Sequence, residues 1–379
     1  MKSRHFCLAA LAALATLLLC PAAQAHKPSD SYLALSAAGE PLRGQWDIAL
    51  RDLEFAIGLD ADGNGEITWG ELKSKRREIE TYAYSRLSVH SDGKSCALTP
   101  ADFMVDEHSD GAYAVLRFDA YCGARASAIE IAYSLFFDLD PTHRGLLRFE
   151  RGGAVQTAVL SPERPRLAFK AGEISPLAQF LDYLREGVWH IWIGFDHILF
   201  ILSLLLPSVF ILTNRGWRAA ERFRDTFWDV FKVVTSFTVA HSITLSLAAL
   251  SVIALPSRLV ESTIALSVVL AALNNLKPVV AERRWAVAFA FGLIHGFGFA
   301  SVLSDLGLPQ DTLLLALVGF NVGVEAGQLA IVAAFLPLAF FLRRGWFYRR
   351  VVFAGGSATI ALVAAVWLVE RAFDLKLWP

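Results

Sequence analysis

Six apolar runs, each close to the ~20 residues that a helix needs to cross hydrocarbon, occupy the chain from residue 188 onward. They are Val188 to Thr213, Trp228 to Ile253, Leu259 to Val280, Trp285 to Leu306, Leu313 to Leu342 and Val351 to Val369. In lipid every backbone N–H and C=O must be satisfied within the protein, so such runs fold as helices. The expectation is a polytopic α-helical membrane protein of about six transmembrane helices over 188–379, preceded by a mainly-β domain. Hydrophobic residues make up 55% of the 379, but they crowd into this second half, while the first half is composed like a soluble domain. Formal net charge is −1, with 35 Lys and Arg against 36 Asp and Glu, which argues against a nucleic-acid partner.

Basic residues orient the helices. Arg215, Arg218, Arg222 and Arg224 follow the first run, Lys277, Arg283 and Arg284 the third, and Arg343, Arg344, Arg349 and Arg350 the fifth. The alternate connections, around Pro256 and Pro309, are nearly free of them, so the basic loops are expected in the cytoplasm. Met1 to Ala25 reads as a secretory signal peptide, with Lys2 and Arg4, an apolar core from Leu8 to Leu19, and Ala23-Gln24-Ala25 for cleavage. The two signals agree on a bacterial inner-membrane protein in contact with lipid, with residues 26–165 and the C-terminus in the periplasm. Residues 166–187 then form a linker and a short juxtamembrane helix.

The exported domain carries Asp60-Ala61-Asp62-Gly63-Asn64-Gly65-Glu66-Ile67-Thr68-Trp69-Gly70-Glu71, an EF-hand-like calcium loop. Asp60, Asp62 and Asn64 stand at positions one, three and five, Glu66 and Thr68 at seven and nine, and Glu71, able to give two oxygens, at twelve. A helix is expected from Glu71 through Arg86, and the calcium is expected to stabilise the domain rather than to signal. Strands are expected at 112–121, 128–137, 145–150 and 154–160, in a small β-sandwich around the loop. Cys96 and Cys122, left as a pair outside the leader, are expected to form a disulfide. Cleavage after Ala25 would expose His26, whose amine and imidazole together suit Cu(II) or Ni(II).

Ionisable side chains inside the apolar runs mark the site, because each costs on the order of 2.5–3.5 kcal/mol to insert at mid-membrane. His190, Asp196 and His197 stand in the first run, His241 in the second, His295 in the fourth and Glu325 in the fifth, with Asn321 and Gln328 about a turn to either side of it. All four histidines after residue 143 fall in these runs and none in the basic loops. Imidazole with carboxylate suits Ni, Co, Zn, Fe or Cu ions. On an unbroken helix His190 and His197 would be separated by roughly 10 Å, which makes them two successive stations rather than two ligands of one ion. Glu261, near the outer end of the third run, would attract cations or snorkel to the interface. Gly292, Gly296, Gly298, Gly319, Gly323 and Gly327 would let helices approach closely around the site.

His190-x5-Asp196-His197, Phe237-Thr238-Val239-Ala240-His241-Ser242, Ile294-His295-Gly296-Phe297-Gly298 and Phe320-Asn321-Val322-Gly323-Val324-Glu325 resemble the blocks of the HupE/UreJ family of membrane proteins. The leader, His26-Lys27-Pro28-Ser29-Asp30-Ser31-Tyr32 and the calcium-loop domain resemble its longer members. The resemblance implies a permease for a divalent transition-metal cation, nickel or cobalt, and points to His190, Asp196, His197 and His295. The later motif is partial, since Gly298 is followed by Phe299 and no second histidine. Two other readings stand beside it: an intramembrane zinc-dependent hydrolase using the histidines, Asp196 and Ser242, and a membrane anchor for a calcium- or metal-binding exported domain. The sequence leaves the oligomeric state open.

Overall fold

The computed structural model describes residues 29–373 and 375, apart from 109–110, 123–127, 171–175, 214–215, 281 and 299–309. The leader and His26 lie outside the described residues. The N-terminal half is a β-sheet domain of ten strands among the described residues: β1 (Asp30–Ser36), β2 (Leu42–Ala49), β3 (Leu87–Ser91), β4 (Lys94–Ser95), β5 (Ala97–His108), β6 (Gly111–Tyr121), β7 (Ala128–Tyr133), β8 (Arg144–Arg151), β9 (Ala154–Leu160) and β10 (Arg166–Lys170). They form a six-stranded sheet in the order β5-β6-β2-β1-β8-β9 and a four-stranded sheet in the order β10-β7-β3-β4. Leu33, Trp46 and Phe118 of the first sheet share one buried cluster with Val89, Ile131 and Tyr133 of the second. The strand expected over 128–137 stops at Tyr133, because Phe136 takes a positive φ of 56° and the chain turns there. Cys96 and Cys122 are joined by a disulfide, with Cα atoms 4.3 Å apart, and tie the start of β5 to the segment after β6.

Two helices flank the acidic loop. The first, α1 (Leu50–Ile57), follows β2 directly and buries Leu50 and Leu53. The second, α2 (Trp69–Tyr84), starts two residues before the expected Glu71 because Thr68 caps it: the Thr68 side chain accepts from Glu71 N–H, and the Glu71 side chain accepts from Thr68 N–H.

Strands β1 and β8 pair in parallel with Asp30 opposite Arg144, which brings Ser29 beside His143. A buried hydrogen-bond chain results. Trp46 Nε1 donates to Ser31 Oγ at 3.3 Å, Ser31 Oγ lies 2.6 Å from Tyr133 OH, and Tyr133 OH lies 2.5 Å from His143 Nε2. His143 Nδ1 lies 2.5 Å from Ser29 Oγ, which donates to Asp52 Oδ2 at 2.8 Å. The direction of the chain makes Nδ1 the protonated nitrogen, and there is no room for a second proton. Burial first, and then the charges of Arg144 and Arg51, push His143 down to about 3. The unfolded chain takes up a proton near 6.5 that the native domain refuses, so stability falls as pH drops below that value, by about 1.4 kcal/mol per unit. Asp52, raised mainly by burial, acts in the opposite sense only in the acid range of carboxylates. Calorimetry of the whole chain should show the domain losing about 2 kcal/mol between pH 7 and pH 5, and a His143→Gln chain losing far less.

The C-terminal half is helical: α3 (Pro176–Ile193), α4 (Phe195–Leu205), α5 (Phe223–Ala249), α6 (Ser257–Leu276), α7 (Arg284–His295), α8 (Gln310–Leu342), a π-helical stretch (Tyr348–Gly355) and α9 (Gly356–Phe373). Among the described residues four helices are long and apolar enough to cross a membrane, and α3 with α4 would make a fifth span bent by 72°. This corrects the expected six unbroken spans in two places. The first run is no single helix: it breaks at Gly194, and after Leu205 the chain turns into a hairpin of β11 (Phe210–Thr213) and β12 (Gly216–Ala219). Among its described residues the fourth run holds the 12-residue helix α7, which ends at His295 as the chain turns at Gly296 to Gly298. The juxtamembrane helix expected to end at Gly187 is instead the first part of α3, which continues to Ile193.

The β-sheet domain is seated on α3. Tyr183 OH donates to Thr157 Oγ1 at 3.0 Å, Arg164 pairs with Asp182, and Arg144 approaches Glu186 at 3.7 Å while its guanidinium stands 5.5 Å from the Trp189 ring.

Candidate metal centre

Gly194 is the residue that makes the centre. Its N–H closes α3 on His190 O at 3.0 Å, and its carbonyl receives Ile198 N–H at 3.0 Å to open α4, so one residue ends one helix and starts another. A Cβ built there would fall 2.7 Å from His190 O and 2.8 Å from His197 Nδ1. The bend folds the His197 ring back to within 4.6 Å of the His190 ring, centroid to centroid. The expectation of two stations one above the other is therefore overturned, because it assumed an unbroken helix. His241, from the middle of α5, completes the group: His190, His197 and His241 each offer a ring nitrogen within 4.8 Å of the other two.

Close backbone contacts bring these helices together. Gly187 of α3 lies against Phe320 O of α8, and Gly323 of α8 against Leu184 O of α3. Gly292 and Gly296 lie against Phe237 O and His241 O of α5 in the same way. Any side chain at these four positions would meet backbone, which is the packing use of small residues in membrane helices. Gly298, by contrast, touches only His295 O and Ile264.

Hydrogen bonds decide which nitrogens are free. Asn321 Nδ2 donates to Leu317 O, which turns Asn321 Oδ1 toward His241 Nδ1 at 3.4 Å. His241 therefore carries its proton on Nδ1 and leaves the Nε2 lone pair bare. Ser267 Oγ donates to Ile264 O at 2.6 Å and so accepts from His295 Nε2 at 2.9 Å, leaving His295 Nδ1 bare. His197 Nε2, His241 Nε2 and His295 Nδ1 are buried without a hydrogen-bond partner. Orientation of an imidazole through its second nitrogen is how metal-binding histidines are held. Phe200 and Phe237 pack against the His295 ring and Phe320 against the His190 ring.

The other residues singled out by sequence are near the centre but engaged differently. His295 stands beside the group, its ring 5.4 Å from that of His197. Asp196 Oδ2 pairs with Arg371 Nη2 at 2.8 Å, while its Oδ1 is buried and unpartnered. Glu325 accepts from Thr235 Oγ1 at 2.7 Å, and Gln328 lies against Thr238. The backbone oxygen of Glu261 lies 3.4 Å from Arg371 Nη1. Sequence reasoning missed Arg371, which reads as an interfacial residue at the end of the last run. It also missed Gly194, Ser267, Thr235 and Thr238, since hydroxyls and glycines are ordinary in membrane helices. The clue available for Gly194 was its place between two histidines on one helix.

In the β-sheet domain Asp60, Asp62 and Glu71 each bring a carboxylate oxygen within 4.8 Å of the other two. Gly65, Gly63 and Asn64 N–H groups turn onto Asp60 and hold its carboxyl below the usual range. Thr68 N–H and Oγ–H with Ala61 N–H do the same for Glu71. Gly63 and Gly65 take φ of 71° and 85°, where glycine is the residue without penalty. Asn64 Oδ1 accepts from Glu66 N–H at 2.7 Å.

Compared with known protein families, residues 166–371 match the one described as HupE / UreJ protein. No curated protein matches the chain.

Proposed function

The chain belongs to the HupE/UreJ family, the match spanning more than half of its length, and on that premise we propose that it is an inner-membrane permease for nickel or cobalt. The observation that carries this reading is the convergence of His190, His197 and His241 from three helices, with ring nitrogens within 4.8 Å of one another. Neutral imidazoles are good ligands for late divalent metals. The exported domain would face the periplasm, and the cation would reach the cluster past Asp196 and His295 on its way toward the basic loops. The ion would exchange its hydration shell for imidazole. Ser242, the hydroxyl that a hydrolase would recruit, donates to Thr238 O at 2.7 Å, one turn along its own helix, which favours transport over hydrolysis.

Cell-associated Ni, Co, Cu and Zn, measured by mass spectrometry at matched membrane levels, tests this. Cells with the intact chain are expected to accumulate Ni or Co, and His197→Ala to lower the excess at least tenfold, a scale set by the ~10–100-fold losses seen when even outer partners of a metal site are removed. No change in any of the four metals would end the permease reading.

For the exported domain we propose that Asp60, Asp62, Asn64, Glu66, Thr68 and Glu71 hold a structural calcium ion. At a hundredfold excess over its Kd a ligand of the native state adds about 2.7 kcal/mol. Calcium should therefore raise the domain's Tm by several degrees over EDTA, and Glu71→Gln should remove the difference. Equal Tm in calcium and EDTA would leave the loop a solvated turn.

A further inference from the structure

Two polar cross-links join α5 to α8 just beyond the histidines. Thr235 Oγ1 donates to Glu325 Oε1 at 2.7 Å, and Thr238 Oγ1 lies 3.1 Å from Gln328 Oε1. Residues three apart share a helix face, so the four side chains make one patch. Thr238 is three residues before His241 on α5, and Glu325 is four after Asn321 on α8, where Asn321 and His241 face each other. The patch thus follows the cluster along both helices by about one turn, ~5 Å.

Glu325 Oε2 and one end of the Gln328 amide are buried without partners, and Gln328 is only 1% exposed. Amide oxygen and nitrogen have the same shape, so the surroundings decide between them. Thr238 has one hydroxyl proton, and Val234 O lies 3.3 Å away, one turn back. Thr238 Oγ1 donates to Gln328 Oε1 and leaves Gln328 Nε2 as the bare end; with the Thr238 proton turned to Val234 O instead and the amide turned over, Gln328 would present its carbonyl oxygen there. Glu325 Oε2 is thus a buried carboxylate oxygen with no donor among the described residues, beside an amide that can turn its oxygen to the same place. Beyond them is a small apolar cavity lined by Gln328, Phe237, Val234 and Phe200, with Arg284 also in its wall and paired to Asp229.

We propose that Thr235, Thr238, Glu325 and Gln328 form a second cation station, built of oxygen ligands, between the imidazole cluster and the basic loops. It rests on the permease reading and deepens it. Late divalent metals prefer imidazole to hydroxyl and amide oxygen, so the ion is held tightly first and loosely second. A path with a weaker site after a stronger one lets an ion leave as well as enter.

Cobalt(II) is the probe, because its visible spectrum differs between nitrogen and oxygen surroundings. The purified full chain in detergent is expected to bind two cobalt ions, one at least tenfold more weakly. Glu325→Gln should lose the weak ion and keep the tight one with its spectrum, and His241→Ala the reverse. In cells Glu325→Gln should lower nickel accumulation at least fivefold. Gln328→Ala replaces Glu325→Gln if that chain does not reach the membrane. Two ions bound by the station variant as by the intact chain, or both lost together, would overturn the second station while leaving the permease. An intact chain that binds neither cobalt nor nickel would overturn both.

Discussion

A chain with leucine at position 194 is expected to reach the membrane at the level of the intact protein and to accumulate no more nickel or cobalt than cells lacking it. Gly194 sits at φ −73° and ψ 92°, which any residue adopts, so its role is one of space. A Cβ there meets His190 O and the His197 ring at under 3 Å on both sides. A branched side chain is relieved by straightening α3 into α4, which carries His197 roughly 10 Å from His190 along the axis. The two rings now lie 4.6 Å apart, so the ligand set would fall from three imidazoles to two. Alanine should give partial loss, since the His197 ring can turn away from one methyl. Full accumulation by the leucine chain, at matched membrane levels, would show that the bend has no part in transport.

Breaking the Asp196–Arg371 pair is expected to have the next largest effect, and in two separable parts. The side chains are only 21% and 12% exposed, and the bond is 2.8 Å. Removing one member of a buried ion pair leaves the other uncompensated and costs about 3–5 kcal/mol, whereas replacing both is far milder. Asp196→Asn and Arg371→Gln should therefore each lower the Tm of the purified protein by several degrees, and the double variant should recover most of that. Accumulation should follow another course. Asp196 Oδ1 is buried beside the cluster with no partner, and if it meets the passing cation the double variant is stable yet still deficient in uptake. A double variant that is both stable and fully active would make Asp196 a counter-ion of Arg371 and nothing more.

Much of this was legible in the residues, and for physical reasons. The apolar runs announced the helical region because a helix must match the bilayer's thickness, and α5, α6, α8 and the last span lie close to where they were expected. Strands β6, β8, β9 and the start of β7 followed from alternation, while β1 to β5 and β10 were passed over. The helix after the acidic loop was placed to within two residues, since Thr68 and Glu71 form a local capping box. His190, His197 and His241 were named because charge and polarity are costly in lipid. Their grouping was not legible, nor was the pairing of Asp196 with Arg371, 175 residues away.

The sequence by itself determined that the four histidines, Asp196 and Glu325 stand within the apolar runs of the membrane half, because a run long and apolar enough to span is read from composition and length. Only the tertiary structure decided which of those groups meet. That depended on a bend at one glycine, on Gly187 and Gly323 letting α3 and α8 touch backbone to backbone, and on Asn321 and Ser267 choosing the free nitrogen of an imidazole. A ligand set is a matter of a few ångströms between side chains far apart in the chain, and packing sets distances of that size while periodicity does not.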